Sequence, residues 1–249
     1  MTIHQTAQSF DAAACDYERA RPDYPHEAGR WLSERLSLRP GRTVLDLAAG
    51  TGKLTRLLAP TGARVVAVEP VAGMRTQLAK ALAGLELLEG TAESIPLPCA
   101  SVDAVTVAQA FHWFDGERAL SEIHRVSRAS GRLAVLYNRR LLEDPLQAAL
   151  EEILAPHRGA TPAQRTNRWR QAFSRTSLWA LVEEATLPHV QHLEREGVVA
   201  RVASTSFVAA LPVERRALVL REVRALVAAR PEPIELPYVC ELFLWERVP

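Results

Sequence analysis

Val44-Leu45-Asp46-Leu47-Ala48-Ala49-Gly50-Thr51-Gly52-Lys53-Leu54 is the stretch on which the fold turns. An apolar run that ends in small residues and two near-adjacent glycines reads as a strand entering a tight turn that opens a helix. Gly50 and Gly52 admit positive φ and let a ligand approach the backbone. Taken alone, the stretch also fits an ordinary strand–turn–helix corner that binds nothing, because short glycine motifs recur by chance. The dinucleotide fingerprint G-x-G-x-x-G fits poorly. Counted from Ala48 and Gly50, its third glycine falls on Lys53; counted from Gly50 and Gly52, it falls on Thr55. Neither residue allows the close helix–strand packing which that glycine serves.

Outward from this corner, short apolar strands alternate with amphipathic helices. Thr43–Leu47, Arg64–Val68, Leu85–Glu89, Val102–Val107 and Arg132–Leu136 read as strands, with helices at Lys53–Ala59, Gly73–Ala83 and Gly116–Val126. Strands this apolar, most of them followed by a helix, are parallel and buried on both faces. Right-handed crossovers then give an α/β, doubly wound sheet. After Asn138 the rhythm changes. Residues 145–185 and 198–229 read as helical, Leu187–Leu193 as a strand, and Leu236–Val248 as a closing strand. The expectation is one domain over 1–249, with a mostly parallel seven-stranded sheet and an antiparallel C-terminal edge. Residues 1–41 form a helical cover and 42–140 the ligand-binding core. Lid insertions are expected at 141–185 and 197–230, and edge strands at 186–196 and 236–248.

Of the 249 residues, 48% are hydrophobic and 24% charged, which describes a globular protein. The formal net charge of +1 supplies no field to recruit nucleic acid or an anionic membrane. No basic region followed by an apolar run opens the chain, and nothing approaches the roughly 20 apolar residues that span a bilayer. A cytoplasmic location is expected. Cys15, Cys99 and Cys240 are dispersed and odd in number, so they form neither a disulfide framework nor a metal-ligand pair. His189 and His192 would face opposite sides of a strand, with no third ligand near. No metal site is expected, and the oligomeric state is open.

Glu69 closes the second strand, where a carboxylate can accept hydrogen bonds from both hydroxyls of a ribose. A helix-capping acid ahead of Pro70 is the competing reading. Beside the glycine loop, the first reading gains weight. The whole block resembles the class I S-adenosylmethionine-dependent methyltransferases, in particular the type 11 group that includes ubiquinone-biosynthesis and trans-aconitate methyltransferases. The resemblance rests on Asp46-Leu47-Ala48-Ala49-Gly50-Thr51-Gly52, on Glu69, on Glu89–Pro98 and on Ala108–Phe114. It extends to Phe10-Asp11 and Tyr17–Pro25, and implies a Rossmann-like methyltransferase fold.

The same resemblance implies S-adenosyl-L-methionine as cofactor, S-adenosyl-L-homocysteine as product and a small molecule as methyl acceptor. Asp46, Ala48, Gly50 and Gly52 would cradle the methionine half, with Ala48 standing where the family has its first glycine. Glu69 would take the ribose, with Pro70 and Met74 beside it. Thr91, Ala92 and Glu93 fall on the adenine side. Thr91 stands where many relatives carry Asp. Gln109 and Ala110 lie beneath the sulfonium, and Tyr17 and Arg21 close over it.

His112 follows the fourth strand, where open α/β sheets place ligands, and is the candidate general base. It reads equally as a wall residue of the pocket. Trp113 offers an aromatic face, and Tyr24 and Trp113 are candidate acceptor contacts. From Ile153 to Val182 the chain has no acid but carries Arg158, Arg165, Arg168, Arg170 and Arg175. One reading is a cationic lid in which Arg165, Arg168 and Arg170 receive a carboxylate-bearing acceptor. The other is a solvated helix face. Two rival functions stand beside methyl transfer. One is a cofactor-binding protein of this fold without turnover, and the other a nicotinamide dehydrogenase, which the glycine register disfavours.

Overall fold

A computed structural model describes residues 14–159, 161–162 and 166–249. Two helices, α1 (Ala14–Ala20) and α2 (His26–Arg35), precede the sheet. Then follow β1 (Thr43–Leu47), α3 (Thr55–Leu58), β2 (Arg64–Val68), α4 (Ala72–Ala81), β3 (Glu86–Leu88), β4 (Val102–Ala108), α5 (Gly116–Val126) and β5 (Ser127–Arg140). The remainder comprises α6 (Pro145–Leu154), α7 (Arg170–Ser174), β6 (Trp179–Leu193), α8 (Arg195–Ala203), α9 (Ser206–Ala209), α10 (Val213–Val227) and β7 (Ile234–Arg247).

The seven strands form one sheet in the order β3-β2-β1-β4-β5-β7-β6. β1 to β5 are mutually parallel, while β7 runs antiparallel to both β5 and β6. Burial on both faces explains why the central strands read as unbroken apolar runs. All five residues of β1 are buried, and successive side chains point to opposite faces. Leu45, Leu47, Val105 and Val107 join Leu120 and Ile123 of α5 on one face. Val44, Ala104 and Ala134 meet Leu32 of α2 and Leu58 of α3 on the other.

A third apolar cluster lies apart from both faces. Leu146, Leu150 and Leu154 of α6 pack with Val198 and Val202 of α8, and with Val219, Val223 and Val227 of α10. The i, i+4 spacing in α6 and α10 places each triplet on one side of its helix. Ile234, Leu236 and Tyr238 at the start of β7 complete the cluster. A helical cap is thus built on the overhang of β7, beside the carboxyl end of β5, where Arg140 pairs with Tyr238.

The uniform helix expected over 145–185 is not what forms. α6 ends at Leu154, α7 spans only Arg170–Ser174, and β6 starts at Trp179. The cause is tertiary. β6 is an edge strand with one solvated side, so Glu183 and Glu184 interrupt the apolar alternation that would have marked it. Its register against β7, with Trp179 opposite Arg247 and Leu193 opposite Ile234, supplies what the pattern lacks. The lid expected over 141–185 accordingly stops before β6, and the edge strand expected from 186 begins earlier. The expected Arg132–Leu136 strand also grows, to Ser127–Arg140, because β7 pairs with it as far as Arg140.

Candidate functional site

β1 and β4 are neighbours whose helices leave in different directions, and the crevice between their carboxyl ends is where open α/β sheets hold ligands. Two non-glycine residues there adopt left-handed backbone, Ala48 at φ 57 and Gln109 at φ 59. Such conformations cost about 1–3 kcal/mol each and cluster at functional sites. Ala48 thus takes the geometry for which the family pattern has glycine. Gly50 follows at φ 59, with nothing within 4 Å of where a Cβ would stand. Gly52 differs. At φ 90, its Cβ would meet Leu78 Cδ1 at 2.3 Å, so this glycine lets α4 pack under the turn. It lines neither of the cavities described below.

The smaller cavity, about 130 Å³, runs over the ends of β1 and β2 and is lined by Glu69, Pro70, Met74, Thr91, Ala92, Glu93, Gln109 and Ala110, among others. Glu69 is 4% exposed. Its Oε2 accepts from Gly50 N and its Oε1 from Val71 N, each at 2.9 Å. Burial pushes its carboxyl up to about 7, against the pull of those two amides and of Arg75. Asp46 lies beneath the loop at 1% exposure. Thr55 donates to its Oδ2 at 2.6 Å and Thr106 to its Oδ1 at 3.0 Å. Burial raises it to about 6, the two hydroxyls opposing.

The larger cavity, about 370 Å³, adjoins the first. Tyr17, Ala48, Gly50, Gln109 and Trp113 line both. Asp46, Arg21, Tyr24 and His112 line only the larger one, so Arg21 stands apart from the smaller cavity. Four buried polar atoms on its wall have no partner among the described residues: Thr51 Oγ1, His112 Nδ1, Asn138 Oδ1 and Arg158 Nε. Native proteins leave few such atoms, and each calls for an explanation. The His112 backbone amide donates to the Tyr137 hydroxyl at 3.2 Å. Burial, and after it Arg21, pushes the imidazole down to about 3. His112 is therefore neutral at ordinary pH.

The expected cationic lid is not where the sequence suggests. Arg168 is exposed and lines neither cavity. Arg170 pairs with Glu184 at 3.0 Å and lies over the Phe243 ring at 4.3 Å, again outside both cavities. Trp169, beside them, is a core residue packed with Phe111, Phe173 and Trp245. Arg165, Phe10 and Asp11 lie outside the described residues. Of that arginine run only Arg158 reaches the larger cavity among the described residues, where Arg21, Arg139, Arg140 and Arg201 join it. Arg139 and Arg140 were within reach of sequence reasoning, since they follow the fifth strand at the crevice. Arg201 carried no such mark.

No helix among the described residues is long and apolar enough to cross a membrane. The family profile described as a methyltransferase domain matches residues 45–135. An uncharacterized methyltransferase of Mycobacterium tuberculosis is 39% identical over 236 residues, covering 93% of this chain and 92% of that one. Among solved structures, a protein described as a type II methyltransferase from Anaeromyxobacter dehalogenans has a TM-score of 0.63 at 28% identity, covering 91% of this chain and 96% of the other. The geranyl diphosphate C-methyltransferase of Streptomyces coelicolor, solved with S-adenosyl-L-homocysteine, has the same fold. Its TM-score is 0.51 at 16% identity, over 89% of this chain and 77% of that one.

Proposed function

Since the chain belongs to the methyltransferase-domain family and is a methyltransferase, we propose that it draws its methyl group from S-adenosyl-L-methionine and passes it to a small molecule in the larger cavity. The observation that carries this reading is the Gly50–Glu69 contact. A buried carboxyl group is held by two backbone amides and lines the smaller cavity, and its remaining acceptor capacity suits the two hydroxyls of a ribose. The residues present fit such a ligand. Gly50 leaves open space where a side chain would stand, and Ala48 already has the turn's backbone. Thr51 and Asn138 hold orphaned polar atoms on the adjoining wall.

Within this reading Glu69 holds the ribose. Pro70, Met74, Thr91, Ala92, Glu93 and Ala110 surround the base. Ala48, Gly50, Gln109 and Asp46 border the methionine half, with Tyr17 and Arg21 at its carboxylate end. When bound, the cofactor supplies a methyl group activated by a sulfonium. The chain's part is then to align the acceptor and exclude water, and proximity of this kind can lower a barrier by about 7–11 kcal/mol in favourable systems. Trp113, which lines both cavities, and Tyr24 are positioned to orient the acceptor. A neutral His112 can accept a proton or a hydrogen bond at its unpartnered Nδ1. The chain works as one domain, with residues 14–41 and the helical cap covering the crevice.

That the complex of the geranyl diphosphate enzyme holds S-adenosyl-L-homocysteine supports the choice of cofactor. Calorimetric titration of S-adenosyl-L-methionine, S-adenosyl-L-homocysteine and NAD into the wild-type protein tests it. Binding of the first two and not of NAD is expected. Binding of NAD alone, or of none, overturns the reading. Release of S-adenosyl-L-homocysteine on mixing with fractionated metabolites then identifies the acceptor.

A further inference from the structure

Three guanidiniums stand on the wall of the larger cavity, and only two of them reach a carboxylate. Arg140 ends β5, Arg158 lies just beyond α6, and Arg201 sits on α8. Glu151 of α6 accepts from Arg140, and from Arg158 at 2.7 Å. Arg201 has no acid beside it. Its Nε donates to the Tyr238 hydroxyl at 3.2 Å, and both its terminal nitrogens lack a partner among the described residues. Arg158 Nε is buried and likewise unpartnered. Like charges gathered in a half-buried wall repel one another. Burial, and after it Arg201, lowers the basicity of Arg140. Such an arrangement is costly unless an anion enters it, since a buried charge needs a partner.

Resting on the methyl-transfer reading above, we propose that Arg201, Arg140 and Arg158 clamp a methyl acceptor bearing at least two negative charges, as carboxylate or phosphate. The count follows from three cations against Glu151, the one acid that pairs with any of them; Glu143 and Asp46 line the same cavity without an ion pair to the three among the described residues. The geometry follows from the guanidinium itself, whose planar fork binds either oxyanion through paired N–H donors. Arg21 lines the same cavity, close enough for Arg201 to lower its basicity, but it is anchored elsewhere. Its Nε and one terminal nitrogen are held by Ser204 at 3.1 and 2.7 Å, at the end proposed for the cofactor's carboxylate. The clamp's walls are also partly apolar. The Arg158 guanidinium lies 5.1 Å over the Phe207 ring, so a carbon skeleton attached to the anion meets a hydrophobic face.

Calorimetric titration with inorganic pyrophosphate and, separately, with citrate tests the clamp, with and without saturating S-adenosyl-L-homocysteine. The wild type should bind at least one of the two anions with S-adenosyl-L-homocysteine present. The preferred anion distinguishes a phosphate acceptor from a carboxylate one. Arg201→Met should weaken that binding by about tenfold or more while leaving S-adenosyl-L-homocysteine affinity unchanged. A melting-temperature rise of the wild type with the anion provides a measurement that does not depend on the variant folding. Arg158→Met gives a second variant with the same expected loss. Failure of the wild type to bind either anion, or equal anion binding by folded Arg201→Met, overturns the clamp. A wild type that binds the anions but not S-adenosyl-L-methionine supports the anion site and overturns the cofactor reading instead.

Discussion

The two cavities of this protein meet at Trp113 yet are built in opposite ways. The smaller is made by loops that directly follow consecutive parallel strands, and its functional groups are acids and backbone amides. The larger draws on Arg21, Arg140, Arg158 and Arg201, which converge from the N-terminal cover, the end of β5 and the cap. Burial acts on the two sets in opposite senses. It raises Glu69 of the smaller cavity to about 7, and it lowers Arg21 of the larger one to about 9, with Arg201 as the next cause. One side thus suits a ligand rich in hydroxyls and carrying a cation, and the other an anion. A transferase needs both. On the proposed reading, the smaller cavity can be shared among enzymes that use one donor, while the larger must be peculiar to the acceptor.

Gly50→Val should separate the two sides most sharply. The added side chain would occupy open space over the loop, so cofactor binding should fall below detection. Folding should lose only the strain of a branched residue at φ 59, about 1–2 kcal/mol. Calorimetry and a urea melt check both numbers. Gly52→Val should do the reverse, because its Cβ strikes Leu78, and should appear first as a lost melting transition. Equal behaviour of the two variants would mean that the loop does not contact the ligand.

Glu69 provides the next effect. Its carboxyl titrates at about 7 in the folded protein, against 4.5 for the free group. Between those values the folded state retains a proton that the unfolded chain has released, so stability falls as pH rises through this window and levels off above about 7. Wild type should therefore lose up to about 3 kcal/mol relative to Glu69→Gln between pH 4.5 and 8. Urea unfolding at several pH values measures it. A parallel pH dependence of the two proteins would refute the raised carboxyl. Cofactor affinity should move oppositely, strengthening as pH rises through 7, since the ionised group is the better acceptor. Glu69→Ala should weaken S-adenosyl-L-methionine binding by roughly 1.5–3 kcal/mol. Anion binding at the arginines should be spared.

The smallest effects belong to the arginines outside the cavities. Arg168→Ala should change stability by no more than about 0.5 kcal/mol and leave turnover untouched, since the residue is exposed and lines neither cavity. Arg170→Ala should cost somewhat more, through its lost contacts with Glu184 and Phe243, but still leave acceptor affinity unchanged. Steady-state kinetics with the identified acceptor check both. A raised KM in Arg168→Ala would return the acceptor to the run around Trp169 and away from Arg201.

The difference in legibility between the two cavities has the same origin as their construction. A strand fixes the direction of the few residues that leave it, so Gly50 and Glu69 could be read as ligand-facing from strand ends, while Asp46, Ala48 and Gln109 came with the family resemblance. Helix α5 was readable to its final residue, because its apolar face and the Asp115 cap are both local. β6 was not, because an edge strand with one wet face acquires its identity only by pairing with β7. The arginines show the same limit. Arg165, Arg168 and Arg170 stood out as a run, yet proximity along the chain says nothing about which wall a side chain joins. Arg201 belongs to the cavity only because α8 packs on α6, α10 and the overhang of β7. By itself the sequence determined the parallel core, since that depends on periodicity and on residues a few positions apart, and its glycine loop and strand-end motifs carried the resemblance that pointed to methyl transfer. The tertiary structure alone decided which charges line the larger cavity, because contacts between distant segments are chosen by the packing of whole elements.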